Sequence, residues 1–405
     1  MFSVYRGMST QAKYLIYFSV MPSVAYGMFY TDIAYFLTTV QGLSFYLMGL
    51  IVTIMGISTF ATSIPMGIAA DKYGRRRILI LSNVIASLII AVFALTTNTA
   101  LLIIAAVFEG ISEAASSASV SALLAAKADD TKRNSVFSMF GFANSTAFGV
   151  GAVAILATST MAGFSNKESH ILLYVVLAAL SLSSTLIMLK VTEPRTSKAK
   201  ATLSQLLPRK SKNVLAKYVI TGAIIAVGAG MIIPLMTAWM KAQYGIPDAL
   251  SGPILGVSSI VVGVSTLAAP TLAKRFGVVN AIVVTEAIST VFMFATPLSP
   301  NYIIASFVYT SRAFLMNMSS PLAQSMIMGL VPEDERGAAS GISAALWRLP
   351  NALSSFVGAW LIGMSLLAAP FFLAALLYLV SIVLFWYFFR NTKMPEEKVS
   401  QMKSE

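Results

Sequence analysis

The chain has 405 residues, 57% of them hydrophobic and only 11% charged, with a net charge of +12. Soluble globular domains carry about 25% charged residues, so this composition excludes a water-soluble fold and points to a lipid-embedded one. The positive charge is confined to a few loops, which argues against a nucleic-acid partner.

Twelve apolar runs follow in chain order, near 14–40, 45–70, 78–97, 100–126, 136–160, 170–191, 217–242, 250–272, 280–297, 301–330, 339–365 and 370–390. Crossing a bilayer takes about 20 apolar residues. In lipid such runs must be helical, because no water is there to satisfy open backbone groups. The expected fold class is an all-α membrane protein with twelve transmembrane helices. Of the 28 lysines and arginines, 24 fall in the N-terminal tail, the loops 71–77, 127–135, 190–217, 273–276 and 331–338, and the C-terminal tail. Lys167 and Lys241 lie on the opposite side, and Arg312 and Arg348 lie inside helices. This asymmetry is the positive-inside pattern, which places both termini in the cytoplasm. The basic loops then face anionic lipid, and the expected location is the plasma membrane.

A repeat runs through the helices. At a shift of 203 residues Gly27 falls on Gly230, Gly42 on Gly245, Gly49 on Gly252, Gly74 on Gly277, Met28 on Met231 and Arg133 on Arg336. The expected organisation is therefore two pseudo-symmetric six-helix bundles, 1–191 and 217–391. A polar, basic cytoplasmic linker, 192–216, joins them, and a cytoplasmic tail, 392–405, follows. Paired bundles of like build are how many transporters frame a pathway. The chain has no cysteine, which removes disulfides, thiol catalysis and thiolate metal sites. The N-terminus runs from Arg6 and Lys13 into a segment too long for a signal peptide. No Walker loop and no cluster with metal or nucleophile spacing appears, so neither an enzyme nor a cofactor is expected.

The loop after the second run reads GIAADKYGRRRIL, residues 67–79. It resembles the signature loop of the major facilitator superfamily, through Gly67, Asp71, Gly74, Arg75 and Arg76. The copy at 270–277, PTLAKRFG, is degraded: Pro270 stands for the first glycine and Lys274 for the aspartate. GAGMIIP (228–234) and PEDERGAASG (332–341) are also similar to stretches of that family. The resemblance implies a six-plus-six fold, alternating access and a central cavity lined mainly by the first, fourth, seventh and tenth helices. It also implies a conformational latch on the cytoplasmic side, in which Asp71 meets Arg133 or the N–H groups opening the eleventh helix, near Ala338–Gly341.

Six ionisable residues fall within the spans: Asp32, Glu109, Glu113, Glu286, Arg312 and Arg348. A charge at the bilayer centre costs roughly 2.5–3.5 kcal/mol on insertion scales, so such residues are functional candidates by default. Asp32 and Glu109 lie about 12–14 Å below the outer surface at 1.5 Å per residue. The repeat shift places Arg312 on Glu109. Glu109 and Glu113 share one helix face, and two carboxylates in a dry site favour keeping a proton between them. They are the expected proton-coupling pair, supported by Asp32. His170, the only histidine, sits at the outer end of the sixth run, which argues against a histidine relay. Asp32 with Tyr30 and neighbouring aromatics suits an organic cation, whereas Arg312 with Asn317 suits an anionic or zwitterionic solute. Glu286, near the start of the ninth run, reads as interfacial or structural. The helix expected to carry a GPxxGG-like stretch in drug–proton antiporters reads FANSTAFGVGAVA, 142–154, without the proline. The first reading is a monomeric secondary transporter of a small organic solute, moved with or against protons, with efflux of amphipathic compounds narrowly ahead of uptake. The alternative is proton-coupled uptake of an organic anion or zwitterion. A non-transporting sensor or assembly partner on the same fold is the alternative of another class.

Overall fold

The structure is a computed structural model that describes residues 8–127, 133–193, 210–332 and 335–391. It is all-α, and every one of the twelve apolar runs falls on a helix. The first six are α1 Thr10–Tyr35, α2 Phe45–Tyr73, α3 Arg75–Leu95, α4 Thr99–Lys127, α5 Arg133–Ala154 and α6 Asn166–Ser183. The seventh span is broken into α7 Lys212–Gly230 and α8 Met236–Tyr244. There follow α9 Asp248–Phe276, α10 Val278–Ala295, α11 Tyr302–Leu330, α12 Arg336–Gly363 and α13 Ala369–Phe389. Among the described residues, nine helices are long and apolar enough to cross a membrane. Large apolar side chains such as Phe307, Leu95 and Val291 are exposed, as expected of helices whose outer faces meet lipid rather than water.

The helix ends are set by local chemistry. Ser44 accepts from Leu47 N to cap α2, and Ser165 forms a capping box with Glu168 at the start of α6. Asn98 Oδ1 accepts from Ala100 N at 3.0 Å before α4, and Asn301 Oδ1 from Ile304 N at 3.0 Å before α11. These two caps are themselves 203 residues apart. So are the glycines that turn the chain with positive φ: Gly42 at 76° and Gly245 at 71°, Gly74 at 104° and Gly277 at 79°. Only a residue without Cβ adopts such angles freely.

The chain divides into two compact units, Met1–Lys198 with Pro234–Ile260, and Ala199–Ile233 with Val261–Glu405. In the first unit α1 crosses α5 at contact distance. A Cβ on Gly27 would lie 2.0 Å from the Phe148 carbonyl oxygen, and one on Gly151 1.9 Å from that of Val24. In the second unit α7 crosses α12 in the same way: a Cβ on Gly230 would lie 2.0 Å from the Asn351 carbonyl oxygen. Phe148 and Asn351 again differ by 203 positions, so the repeat extends to the partner each glycine touches. Small residues at such crossings are how membrane helices pack closely without a hydrophobic driving force.

The stretch Pro234–Ile260, which connectivity alone assigns to the C-terminal bundle, belongs with the first six helices. Gly252 and Gly256, four apart on α9, press against the Ala152 and Gly149 backbone of α5. Thr237 Oγ1 donates to Thr31 O at 2.8 Å.

Candidate functional site

Tyr30 and Asp32 are two residues apart on α1 and therefore face opposite sides of the helix. Tyr30 turns toward α4. Its hydroxyl lies 2.7 Å from Glu109 Oε1 and 3.3 Å from Glu113 Oε2. Thr59 Oγ1 of α2 lies 3.0 Å from the same Glu113 oxygen, and Tyr26 stacks on Tyr30 with ring centroids 5.4 Å apart. Glu109 is buried and Glu113 half-buried. A phenol has one proton to donate, and here it faces two carboxylates. The arrangement has a place for one further proton, carried by whichever carboxyl donates back to the phenol oxygen.

Asp32 turns toward α6 and is fully buried. Tyr174 OH donates to its Oδ2 at 3.1 Å. His170 Nε2 lies 3.8 Å from that oxygen and 2.6 Å from Asp248 Oδ2, at the start of α9. The position of His170 at a helix end argued against any relay through it. In the structure the imidazole is wholly buried, enclosed by the rings of Tyr35 and Phe36 and facing two carboxylates. Two ligands of one tetrahedral zinc ion stand about 3.3 Å apart at the usual bond lengths. The 2.6 Å contact is closer than that, at hydrogen-bond distance, so the group reads as a hydrogen-bonded cluster.

In the second unit a cavity of about 260 Å³ is walled by α7, α10, α11, α12 and α13. Arg312 and Asn317 of α11 both line it, together with Glu286 of α10, Trp347 and Tyr378. Arg312 is 2% exposed; its Nη2 donates to Tyr378 OH at 2.8 Å, and its guanidinium lies over the Tyr309 ring at 5.6 Å. Its Nε–H has no hydrogen-bond partner among the described residues. Asn317 Nδ2 donates to Ala313 O at 2.9 Å. Glu286 accepts from Ser319 Oγ at 2.8 Å. Glu286, expected to be interfacial or structural, is buried in the cavity wall, where α10 packs on α11. Arg348 of α12 is half-buried.

In the signature loop the described contacts lie within the first unit. Asp71 Oδ1 accepts from Arg75 of its own loop at 2.8 Å, and Asp71 is 60% exposed. The side chain of Arg133 and the residues 338–341 lie outside the described side chains. Glu193, which sequence reasoning left at the edge of the linker, accepts from Arg75 N at 2.8 Å and Arg76 N at 3.0 Å. It thereby satisfies the open N–H groups at the start of α3. Arg76 donates to Leu189 O at 3.2 Å. A Cβ on Gly67 would meet nothing within 4 Å.

Asp248, Glu193 and Tyr378 had no distinguishing signal. An acid opening a helix, an acid before a proline and a tyrosine in an apolar run are each ordinary in isolation. Only the fold brings them to a histidine, a helix N-terminus and a buried arginine.

The family model of the Major Facilitator Superfamily matches the sequence twice, over residues 15–319 and 218–404. The two matches begin 203 residues apart. No curated protein matches the sequence significantly. Among solved structures, a mutant of the nucleoside transporter NupG superposes with a TM-score of 0.79 at 14% identity, covering 94% of this chain and 100% of that one. A bacterial homologue of the human lysosomal transporter Spinster, in an inward-facing and occupied conformation, has a TM-score of 0.76 at 13% identity, with 94% and 96% covered. An auto-inhibited peptide transporter of the POT family has a TM-score of 0.75 at 12% identity, with 95% and 98% covered. At these identities the likeness is one of fold.

Proposed function

The chain belongs to the Major Facilitator Superfamily, a multi-pass membrane protein and a transporter rather than an enzyme, and we propose that it is a proton-coupled secondary transporter of a small organic anion or zwitterion. The basic loops set both termini in the cytoplasm. The observation that carries the solute class is Arg312, a buried cation with an unpartnered Nε–H in the wall of a cavity. An unpaired buried donor on a charged group is costly, and a carboxylate or phosphate entering the cavity would satisfy it. Glu286 in the same wall offers a counterpart for a solute's ammonium, and Asn317 a neutral polar contact.

An organic cation held at Asp32 would need that acid open among its aromatics. Asp32 is instead enclosed by Tyr174, His170 and Asp248, which withdraws that support. Proton handling falls to Glu109, Glu113 and the Tyr30 hydroxyl between them. Proton entry would halve the charge of the pair and let α1 and α4 shift together, coupling the proton to the solute through alternating access. Uptake driven by an inward proton gradient follows as the direction.

A thermal-shift screen tests the solute assignment. The panel would hold amino acids, mono- and dicarboxylates, aromatic carboxylates, nucleosides and organic cations, applied to the parent and to Arg312→Ala. A carboxylate or zwitterion that stabilises only the parent identifies the solute class and its anchor. Equal stabilisation of both proteins removes Arg312 as anchor, and a response to cations alone restores the export reading.

A further inference from the structure

We propose that Asp32, His170 and Asp248 form a second proton-binding site, apart from the Glu109–Tyr30–Glu113 cluster, and that its proton holds the stretch Pro234–Ile260 against the first six helices. The three side chains bring one nitrogen and two carboxylate oxygens within 4.8 Å of one another, with all three residues buried. The site deepens the proton-coupled reading above and rests on it for its role in transport; its existence rests on geometry.

The hydrogen-bond pattern requires a proton. His170 Nδ1 lies 2.7 Å from Asn166 O. A carbonyl oxygen only accepts, so Nδ1 carries a hydrogen. In a neutral imidazole Nε2 is then a bare lone pair, yet it stands 2.6 Å from Asp248 Oδ2. Two lone pairs cannot hold that distance. One proton must lie between them, on the imidazole as an ion pair or on the carboxyl as a neutral pair. Asp32 adds a carboxylate 3.8 Å from the same nitrogen, and its Oδ1 is buried without a partner. Loss of the proton to water would leave one imidazole lone pair and two carboxylates facing each other in a dry site, which low dielectric makes expensive.

Among the described residues no lysine or arginine is paired with the site. From α1 the site is faced by Tyr35, and from α6 by Tyr174. The nearby α8 carries Lys241, whose Nζ is bonded to Gly245 O. Glu168, early in α6, is turned to its own cap at Ser165.

What the proton holds is set by where Asp248 sits. It opens α9, just past the Gly245 turn, within the stretch that belongs to the second repeat but packs on the first six helices. The same stretch is also held by Thr237 on Thr31 and by the close packing of Gly252 and Gly256 on α5. Neither of these titrates. The His170–Asp248 contact does, so the stretch is clamped when the site is protonated and released when it is not. By the topology proposed above, this clamp lies at the outer side, where an external proton reaches it.

The absence of native cysteine makes the test direct. Spin labels at Phe164→Cys and Leu250→Cys, both exposed positions, report the distance between the first six helices and α9 in nanodiscs without solute. From about pH 6 to about pH 10, a span wide enough to remove a proton held between an imidazole and two carboxylates, the population at the short distance should fall by more than half. His170→Gln should abolish the pH response. Asp248→Asn should keep the short distance at every pH, since its amide donates to Nε2 without a titrating proton. Glu109→Gln should leave the pH response intact, because that acid serves the other cluster. A parent distance that ignores pH, or a His170→Gln protein that keeps the parent's response, would overturn the proposal. The readout needs no solute, so failure of the Arg312 assignment would leave it standing. Loss of the response in Glu109→Gln would instead return all the proton chemistry to the glutamate pair.

Discussion

The two repeats share a scaffold and differ in chemistry. Gly27 and Gly230 each meet a carbonyl oxygen at the equivalent position of the partner helix, and Asn98 and Asn301 each cap the helix that carries a buried charge. Yet the charge on the first of those helices is Glu109 and on the second Arg312, each in contact with a tyrosine hydroxyl, Tyr30 and Tyr378. Residues fixed by backbone geometry have stayed the same, because a Cβ there has nowhere to go. The buried charges at equivalent positions are of opposite sign, which under the proposed function gives a proton-holding half and an anion-holding half.

The strongest way to break this comparison is at the crossings. Gly27→Leu and Gly230→Leu should each cost about 3 kcal/mol or more through overpacking, seen as lost folded yield in detergent. A large loss in one and none in the other would mean the repeats are not equivalent. Next comes the divergent pair. Arg312→Ala removes a charge-assisted contact, worth about 1.5–3 kcal/mol, and should weaken solute binding by about 10–100-fold with the fold intact. Glu109→Gln should leave solute binding within a few-fold while removing solute-dependent proton movement; if both are lost together, the two halves do not divide the labour.

The smallest effect sharpens the comparison at the helix starts. Glu193 caps α3 through Arg75 N and Arg76 N, and Glu335 takes Lys210 N at 2.8 Å and Ser211 N at 2.9 Å ahead of α7. Replacing either by alanine should cost about 1 kcal/mol, read as a modest drop in the thermal midpoint. A null result in both would mean the caps are only geometric.

Much of this was legible in the sequence because lipid is a strict solvent. Each apolar run had to become a helix, and Gly74 and Gly277 had to mark turns. Glu109, Glu113 and Arg312 stood out because a charge in a span needs a reason. What was not legible depended on contacts between distant segments. Connectivity placed Asp248 in the second bundle, but glycine packing on α5 delivers it to His170. Glu286 looked interfacial by its depth, and only the packing of α10 on α11 shows it lining the cavity. The contact of Asp71 with Arg75, one turn away, was likewise not singled out by the motif.

Solute-dependent proton movement in proteoliposomes tests the central claim most directly. With an organic anion or zwitterion identified by its stabilisation of the parent, adding that solute outside should drive proton entry, recorded by a trapped pH dye. Arg312→Ala should abolish this by loss of solute binding, and Glu109→Gln by loss of coupling. Proton entry that proceeds unchanged in Glu109→Gln, or a bound solute that moves no protons in the parent, would contradict the account and favour a sensor on a transporter fold.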